Sequence, residues 1–180
     1  MSDASCGTVT EYAGVAEGLG QKRVTTSSDA ATGRAKVEAI IQCHPSRVID
    51  LLTNFEDLPR HIFCLHKATI LRQAEGTATV QFTMKLPFPL GTVSWTNLVT
   101  SRRSNGTDSL EWLLLEGDLR ECKGSMVLKQ IGETGGQTHA SYQIHVEHKS
   151  RLPKRAQRMA VQWLLPRVVN RLFKKLETNA

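Results

Sequence analysis

Glu116 to His148, EGDLRECKGSMVLKQIGETGGQTHASYQIHVEH, runs almost directly into a long basic segment from Leu152 to about Leu176. A strand opening at Gly117, a second glycine at Gly124, a Gly135-Gly136 turn and an alternating strand over 137–148 make one long hairpin. The segment after it has helical spacing and closes the chain. A curved sheet closed by a terminal helix encloses a hollow, and a hollow lined by such strands points to an apolar guest.

Composition narrows the class. A chain of 180 residues fits one domain. At that size roughly 70% of the unfolded surface is buried on folding, so no staples are required. Cys6, Cys43, Cys64 and Cys122 are far apart, without a CxxC pair. They read as free thiols of a reducing compartment that pack as small apolar residues. No run approaches the roughly 18 apolar residues of a membrane span. The start, MSDASCGTVTEYAGVAEGLG, lacks the basic flank and continuous apolar core of a secretory signal. The expected location is therefore the cytoplasm, and Asn105-Gly106-Thr107 reads as a turn.

Residues 1–33 are rich in Gly, Ala, Ser and Thr and carry no lasting period, so they are expected to form a disordered tail ahead of a domain over 34–180. Lys22 and Arg23 against Asp3, Glu11, Glu17 and Asp29 give the tail a charge of −2. The whole chain is +6, which leaves +8 on the domain. Such a field suits anionic membrane or another acidic partner, or serves solubility alone.

From Arg34 onward the pattern is mainly strand. Ala35–Ile41 alternates, with Val37, Ala39 and Ile41 on one face. Ser46 is the expected N-cap of a helix whose apolar side is Val48, Ile49, Leu51 and Leu52, and Asn54–Pro59 breaks it into a second short helix. Strands are predicted at about 66–73, 77–86, 92–103, 108–116, 118–131 and 137–148. Glu75-Gly76, Pro87-Phe88-Pro89, Asn105-Gly106 and Gly135-Gly136 separate them. The predicted class is α+β, with seven antiparallel strands, two short helices after the first and a long C-terminal helix.

Strand parity gathers a candidate binding face. Phe82, Met84, Trp95, Asn97, Trp112, Met126 and Tyr142 share one side, and Met159 and Trp163 line the first half of the C-terminal helix. Leu113 and Leu115 blur their strand. Asn97 and the Tyr142 hydroxyl need partners if buried, and scattered polar groups on an apolar wall suit a small-molecule pocket. In the last helix the apolar side swings by about half a turn at Pro166, which predicts a kink between Gln162 and Arg167 and a basic outer surface.

Catalytic signatures are missing. There is no GxSxG, HExxH or Gly-rich phosphate loop, so no residue is singled out as catalytic. His61, His66, Asn97, Glu116 and Tyr142 are the groups able to converge on a cavity as donors, acids or bases. His139 and His145 lie opposite Tyr142 in parity and read as solvent-facing. No metal or cofactor is expected.

Val37 to Leu176 resembles the helix-grip superfamily of START, Bet v 1-like and polyketide cyclase/dehydrase domains. The resemblance rests on HPSRVIDLLTNFEDLPRHI (44–62), EGDLRECKGSMVLKQIGETGGQTHASYQI (116–144) and the Leu152-Pro153-led final helix. It implies a bent seven-stranded sheet wrapped around the last helix, with a lipid, sterol, quinone or polyketide between them. The family often has aspartate and tryptophan where this chain has Asn54 and His61, and tryptophan where it has Met126. The expected function is binding, and transport or presentation, of such an apolar molecule, with transient contact to anionic membrane through the basic C-terminal helix. The alternatives are a polyketide aromatase/cyclase and a basic interaction module. Nucleic acid fits least, because the aromatics lie on inward strand positions.

Overall fold

The computed structural model describes residues 24–29, 33–86, 91–132 and 136–149. They form one eight-stranded antiparallel sheet and two short helical segments. The strands are β1 (Val24–Asp29), β2 (Arg34–Ile41), β3 (Leu65–Ala74), β4 (Thr77–Lys85), β5 (Thr92–Ser104), β6 (Thr107–Gly117), β7 (Leu119–Ile131) and β8 (Gln137–His148). Their order in space is β1-β2-β8-β7-β6-β5-β4-β3. Six neighbouring pairs are consecutive hairpins, while β2 pairs with the distant β8 and brings the first half of the chain beside the last strand.

The chain between β2 and β3 crosses one face of the sheet as α1 (Pro45–Thr53) and a 3₁₀ helix (Phe55–Arg60). α1 begins at Pro45, whose fixed φ suits a first helical position and whose missing N–H would have had no partner there. The cap is therefore His44 and not Ser46. The His44 imidazole accepts from the Ser46 backbone N–H at 3.2 Å. The helix ends where the Thr53 hydroxyl donates back to the Ile49 carbonyl at 2.8 Å and the Asn54 N–H to that of Asp50 at 3.1 Å. Val48, Ile49 and Leu52 of α1 and Phe55 and Leu58 of the 3₁₀ helix are buried with Val37, Ile41, Val80, Leu110 and Leu128 in one core. This core defines the inner face of the sheet.

The seven predicted strands are all present. The eighth, β1, corrects the expected tail. Val24–Asp29 pairs with β2 from Val24↔Ala39 to Asp29↔Arg34. It is an edge strand with a single neighbour, and Thr25 and Ser27 are exposed. The strand therefore shows no apolar alternation and reads as tail, although Val24, Thr25 and Thr26 are good strand formers. The remainder of 1–33 lies outside the described residues apart from Gly33. So do the Pro87–Pro89 turn and the expected C-terminal helix with its break near Pro166.

Leu113 and Leu115 are resolved as outward residues, 54% and 52% exposed. A register shift at Thr96/Asn97 passes over Leu115, so β6 keeps Leu110, Trp112 and Leu114 inside. No helix among the described residues is long and apolar enough to cross a membrane.

Candidate ligand-binding face

Cross-strand register brings seven of the nine predicted residues onto the inner face. Phe82 lies opposite Trp95 and Val80 opposite Asn97. Val99 lies opposite Trp112, Leu110 opposite Met126, and Met126 opposite Tyr142, which faces Val37 of β2. Met84 sits across from Val93 at the end of the same wall. Directly opposed residues of antiparallel strands share a side, so these pairs form a continuous surface from β4 to β2. Met159 and Trp163 lie outside the described residues.

Two aromatic pairs dominate the wall. Phe82 stacks on Trp95 with centroids 5.6 Å apart, and the edge of Phe55 meets Phe82 at 6.4 Å. Trp112 stacks on Tyr142 at 5.4 Å and 27°. The hairpin glycines allow close approach at both tryptophans. Gly117 lies opposite Trp95, and a Cβ there would come within 2.4 Å of the Trp95 Cα. Gly124 lies opposite Trp112, and its Cβ would come within 2.3 Å of Trp112 Cζ2. Gly124 is bare because the Trp112 indole crosses it, and Gly117 because the β5 backbone at Ser94 and Trp95 comes close.

The face divides into two zones. Met126 is buried in the main core with α1, between Leu110 and Tyr142. Val93, Leu119 and Cys122 form a second cluster, against which Leu86, Trp95, Trp112, Leu114 and Val146 pack. Asn97 belongs to this second zone and is only 4% exposed. Its Nδ2 donates to Cys122 Sγ at 3.8 Å, whereas Asn97 Oδ1 and the indole Nε1 of Trp95 are buried without a partner. Burial pushes the Cys122 thiol up to about 11, against a smaller downward pull from the Asn97 hydrogen bond. Burial, with the Cys122 thiolate as a lesser cause, raises the Tyr142 phenol above its ordinary 10. Both groups are neutral near pH 7, so the Asn97 wall is polar without being charged.

Cys122 was legible only as a small apolar residue, although it shares parity with Met126 and Leu128. Its role emerges from the Asn97 contact. The other candidates separate. His66 and Glu116 are exposed and do not join Asn97 and Tyr142. His61 is buried behind the 3₁₀ helix, its Nε2 is 2.6 Å from Asp57 Oδ2, and its Nδ1 is buried and unpartnered. The carboxylate can only accept, so the proton sits on Nε2. Asp57 also accepts from Arg60 at 2.9 Å, and the His61 hydrogen bond leads the effects that hold its carboxyl below the ordinary 3.8.

On the outer face, His145 is not open to solvent as parity alone suggested. Its side chain is 13% exposed, and its ring nitrogens lie 3.5 and 3.6 Å from carboxylates of Glu121 and Glu147. These three residues could between them hold a cation, each offering one ligand atom within 4.8 Å of the others. Lys123 already pairs with Glu121 at 2.5 Å, so the group reads as an ion-pair network.

The sheet with its crossing helices is the fold of START-type proteins. A STAR-related lipid transfer protein from Xanthomonas axonopodis superposes with a TM-score of 0.70 at 11% identity, over 90% of this chain and 97% of that one. Human STARD10 gives 0.70 at 14%, over 89% and 71%. The Zhui aromatase/cyclase from Streptomyces sp. R1128 gives 0.63 at 11%, over 80% and 93%. At these identities the likeness concerns the fold alone. Residues 41–173 match the family described as polyketide cyclase/dehydrase and lipid transport, and the chain belongs to that family. No curated protein matches the chain significantly.

Proposed function

We propose that the inner face between the two aromatic stacks binds an apolar small molecule and that the protein carries or presents it. The observation that supports this most directly is the combination of a continuous apolar wall with two buried polar atoms left unpaired among the described residues. Ordinary core satisfies such atoms. A ligand site has reason to leave them for its guest. The family description and the lipid transfer proteins of the same fold agree with this reading.

Mass spectrometry of organic extracts from purified protein, together with quenching of tryptophan fluorescence by added ligands, tests it. A co-purifying lipid, quinone or polyketide is the expected result. No extracted molecule and no response to fatty acids, sterols, quinones or aromatic polyketides defeats it. Contact between the basic C-terminal segment and anionic membrane belongs to the same proposal. Replacing Arg171, Lys174 and Lys175 with Gln is expected to reduce co-sedimentation with anionic vesicles, and unchanged binding removes membrane docking.

A cyclase reading has one specific observation in its favour. His61, with Nε2 held by Asp57 and Nδ1 buried and bare, is arranged as an oriented base, a carboxylate–imidazole pair suited to removing a proton. It predicts that His61→Gln abolishes conversion of an aromatic polyketide without weakening its binding. Conversion that survives the substitution overturns the role of His61.

A further inference from the structure

Asn97 and Trp95 sit two residues apart on β5, with side chains on the same side and roughly 7 Å of strand between their backbones. Their spare atoms are of opposite kind. Asn97 Oδ1 can only accept and Trp95 Nε1 can only donate. Both are buried, and neither finds a partner among the described residues. The Asn97 amide commits its N–H side to Cys122 of the second zone, which leaves the oxygen as its bare atom. Around them stand the apolar side chains of Leu86, Leu114, Val93 and Val146. Asp108, the buried carboxylate on the inner face, lies six residues from Leu114 along β6, or roughly 20 Å.

Resting on the ligand-binding reading, we infer that Asn97 and Trp95 are specificity-determining residues for a neutral ligand bearing both a hydroxyl and a carbonyl on an apolar skeleton. The hydroxyl donates to Asn97 Oδ1 and the carbonyl accepts from Trp95 Nε1. A wholly apolar hydrocarbon leaves both atoms unpaired and is selected against. A charged headgroup meets no counter-charge on this wall and loses its hydration. Selection of this kind is strong because it works by stranding the protein's own polar groups.

The test uses the full-length protein and three planar probes: anthracene, anthraquinone and 2-hydroxyanthraquinone. Binding is measured by tryptophan quenching and confirmed by calorimetry. Parent protein is expected to bind 2-hydroxyanthraquinone most tightly and anthracene most weakly, with about five- to tenfold per hydrogen bond gained. Trp95→Phe keeps a ring but removes the donor, so it should weaken both quinones by that factor and leave anthracene unchanged. Asn97→Leu should weaken only the hydroxyquinone. It should not lower the melting temperature of the free protein, because a purely structural Asn97 would be missed on folding and a ligand-facing one is not.

If all three probes bind equally and neither substitution discriminates between them, the polar selection is wrong while the ligand-binding reading stands. If no probe binds the parent protein, this inference falls, while the ligand-binding reading is decided separately by the extraction and the wider ligand titration. A large loss of melting temperature in Asn97→Leu assigns the amide to the core and overturns its part.

Discussion

Gly124→Ala is the most direct probe of how the wall is built. A Cβ at this position would lie 2.3 Å from Trp112 Cζ2, 2.7 Å from Cε2 and 2.3 Å from the backbone oxygen of Gln143. Relaxed carbon contacts need about 3.5 Å or more, so both neighbours must retreat by over ~1 Å. The indole has one way out, rotation off the Tyr142 ring, at about 0.5–1.5 kcal/mol for the lost stack. The Gln143 carbonyl has none, because it belongs to β8, and overpacking of that kind costs about 1–3 kcal/mol. The expected destabilisation is about 2–4 kcal/mol, or roughly 5–15 °C in melting temperature for a domain of this size. Urea unfolding followed by tryptophan fluorescence and near-ultraviolet circular dichroism measures it. Gly106→Ala is the control. Nothing lies within 4 Å of its Cβ, and only its φ of +76° opposes a side chain, at about 1–2 kcal/mol. In Gly124→Ala/Trp112→Leu the part of the penalty due to the indole should disappear and the part due to Gln143 remain. A loss below about 0.5 kcal/mol in Gly124→Ala would refute the steric argument and the claim that glycine admits the tryptophan.

Three further outcomes follow from local geometry and titration. Cys64 opens β3 at a φ of 68°, a left-handed conformation that burdens a side chain, so Cys64→Gly should stay within about 1 kcal/mol of the parent while β-branched Cys64→Val loses about 2 kcal/mol by urea unfolding. In a Tyr12→Phe background, absorbance titration near 295 nm should show Tyr142 still protonated at pH 10.5; since its folded value is raised, its contribution is complete below 10 and is lost as pH rises above that, and a normal titration would contradict burial of the phenol. Asp57 has the opposite sign: its depressed folded value makes its contribution complete above about 3.8 and lost as pH falls below that, so Asp57→Asn should be less stable than parent at pH 6 and indistinguishable at the acid end, and a constant gap across pH would exclude the titration.

The sheet was readable because its strands bury one side. Alternation at Val80, Phe82 and Met84 and at Ala140 and Tyr142 specified which residues face inward, and the register kept them there. β1 was missed for the same physical reason, since an edge strand with exposed Thr25 and Ser27 has no apolar period to detect. Ser46 lost the cap to His44 because any side chain that reaches a free N–H can cap, and Pro45 moved the helix start forward. Leu115 was ambiguous because a one-residue bulge changes parity without leaving a mark in composition. The Asn97–Cys122 contact joins residues 25 positions apart on strands that are not neighbours in the sheet, and no local pattern encodes it.

What separates core from site on this face is polar satisfaction. Thr138 is fully buried on the inner side of β8, and its hydroxyl donates to the Cys43 carbonyl at 2.6 Å, so burying it leaves no debt. Asn97 Oδ1 and Trp95 Nε1 are buried on the same face, a few strands away, and each is bare among the described residues, at a cost of about 1–3 kcal/mol to strand. Leu in place of Asn97 and Phe in place of Trp95 would remove those costs and keep most of the apolar volume. Beside a neutral thiol and two aromatic stacks, Asn97 and Trp95 are the groups that the proposed guest would pair. The proposed site lies away from α1, where Val48, Ile49 and Leu52 close the core, and in the zone around Trp95, Leu114 and Cys122. A guest that fills that zone and supplies the two hydrogen bonds stabilises the folded chain by mass action, so its binding should appear as a rise in melting temperature that Asn97→Leu and Trp95→Phe each diminish.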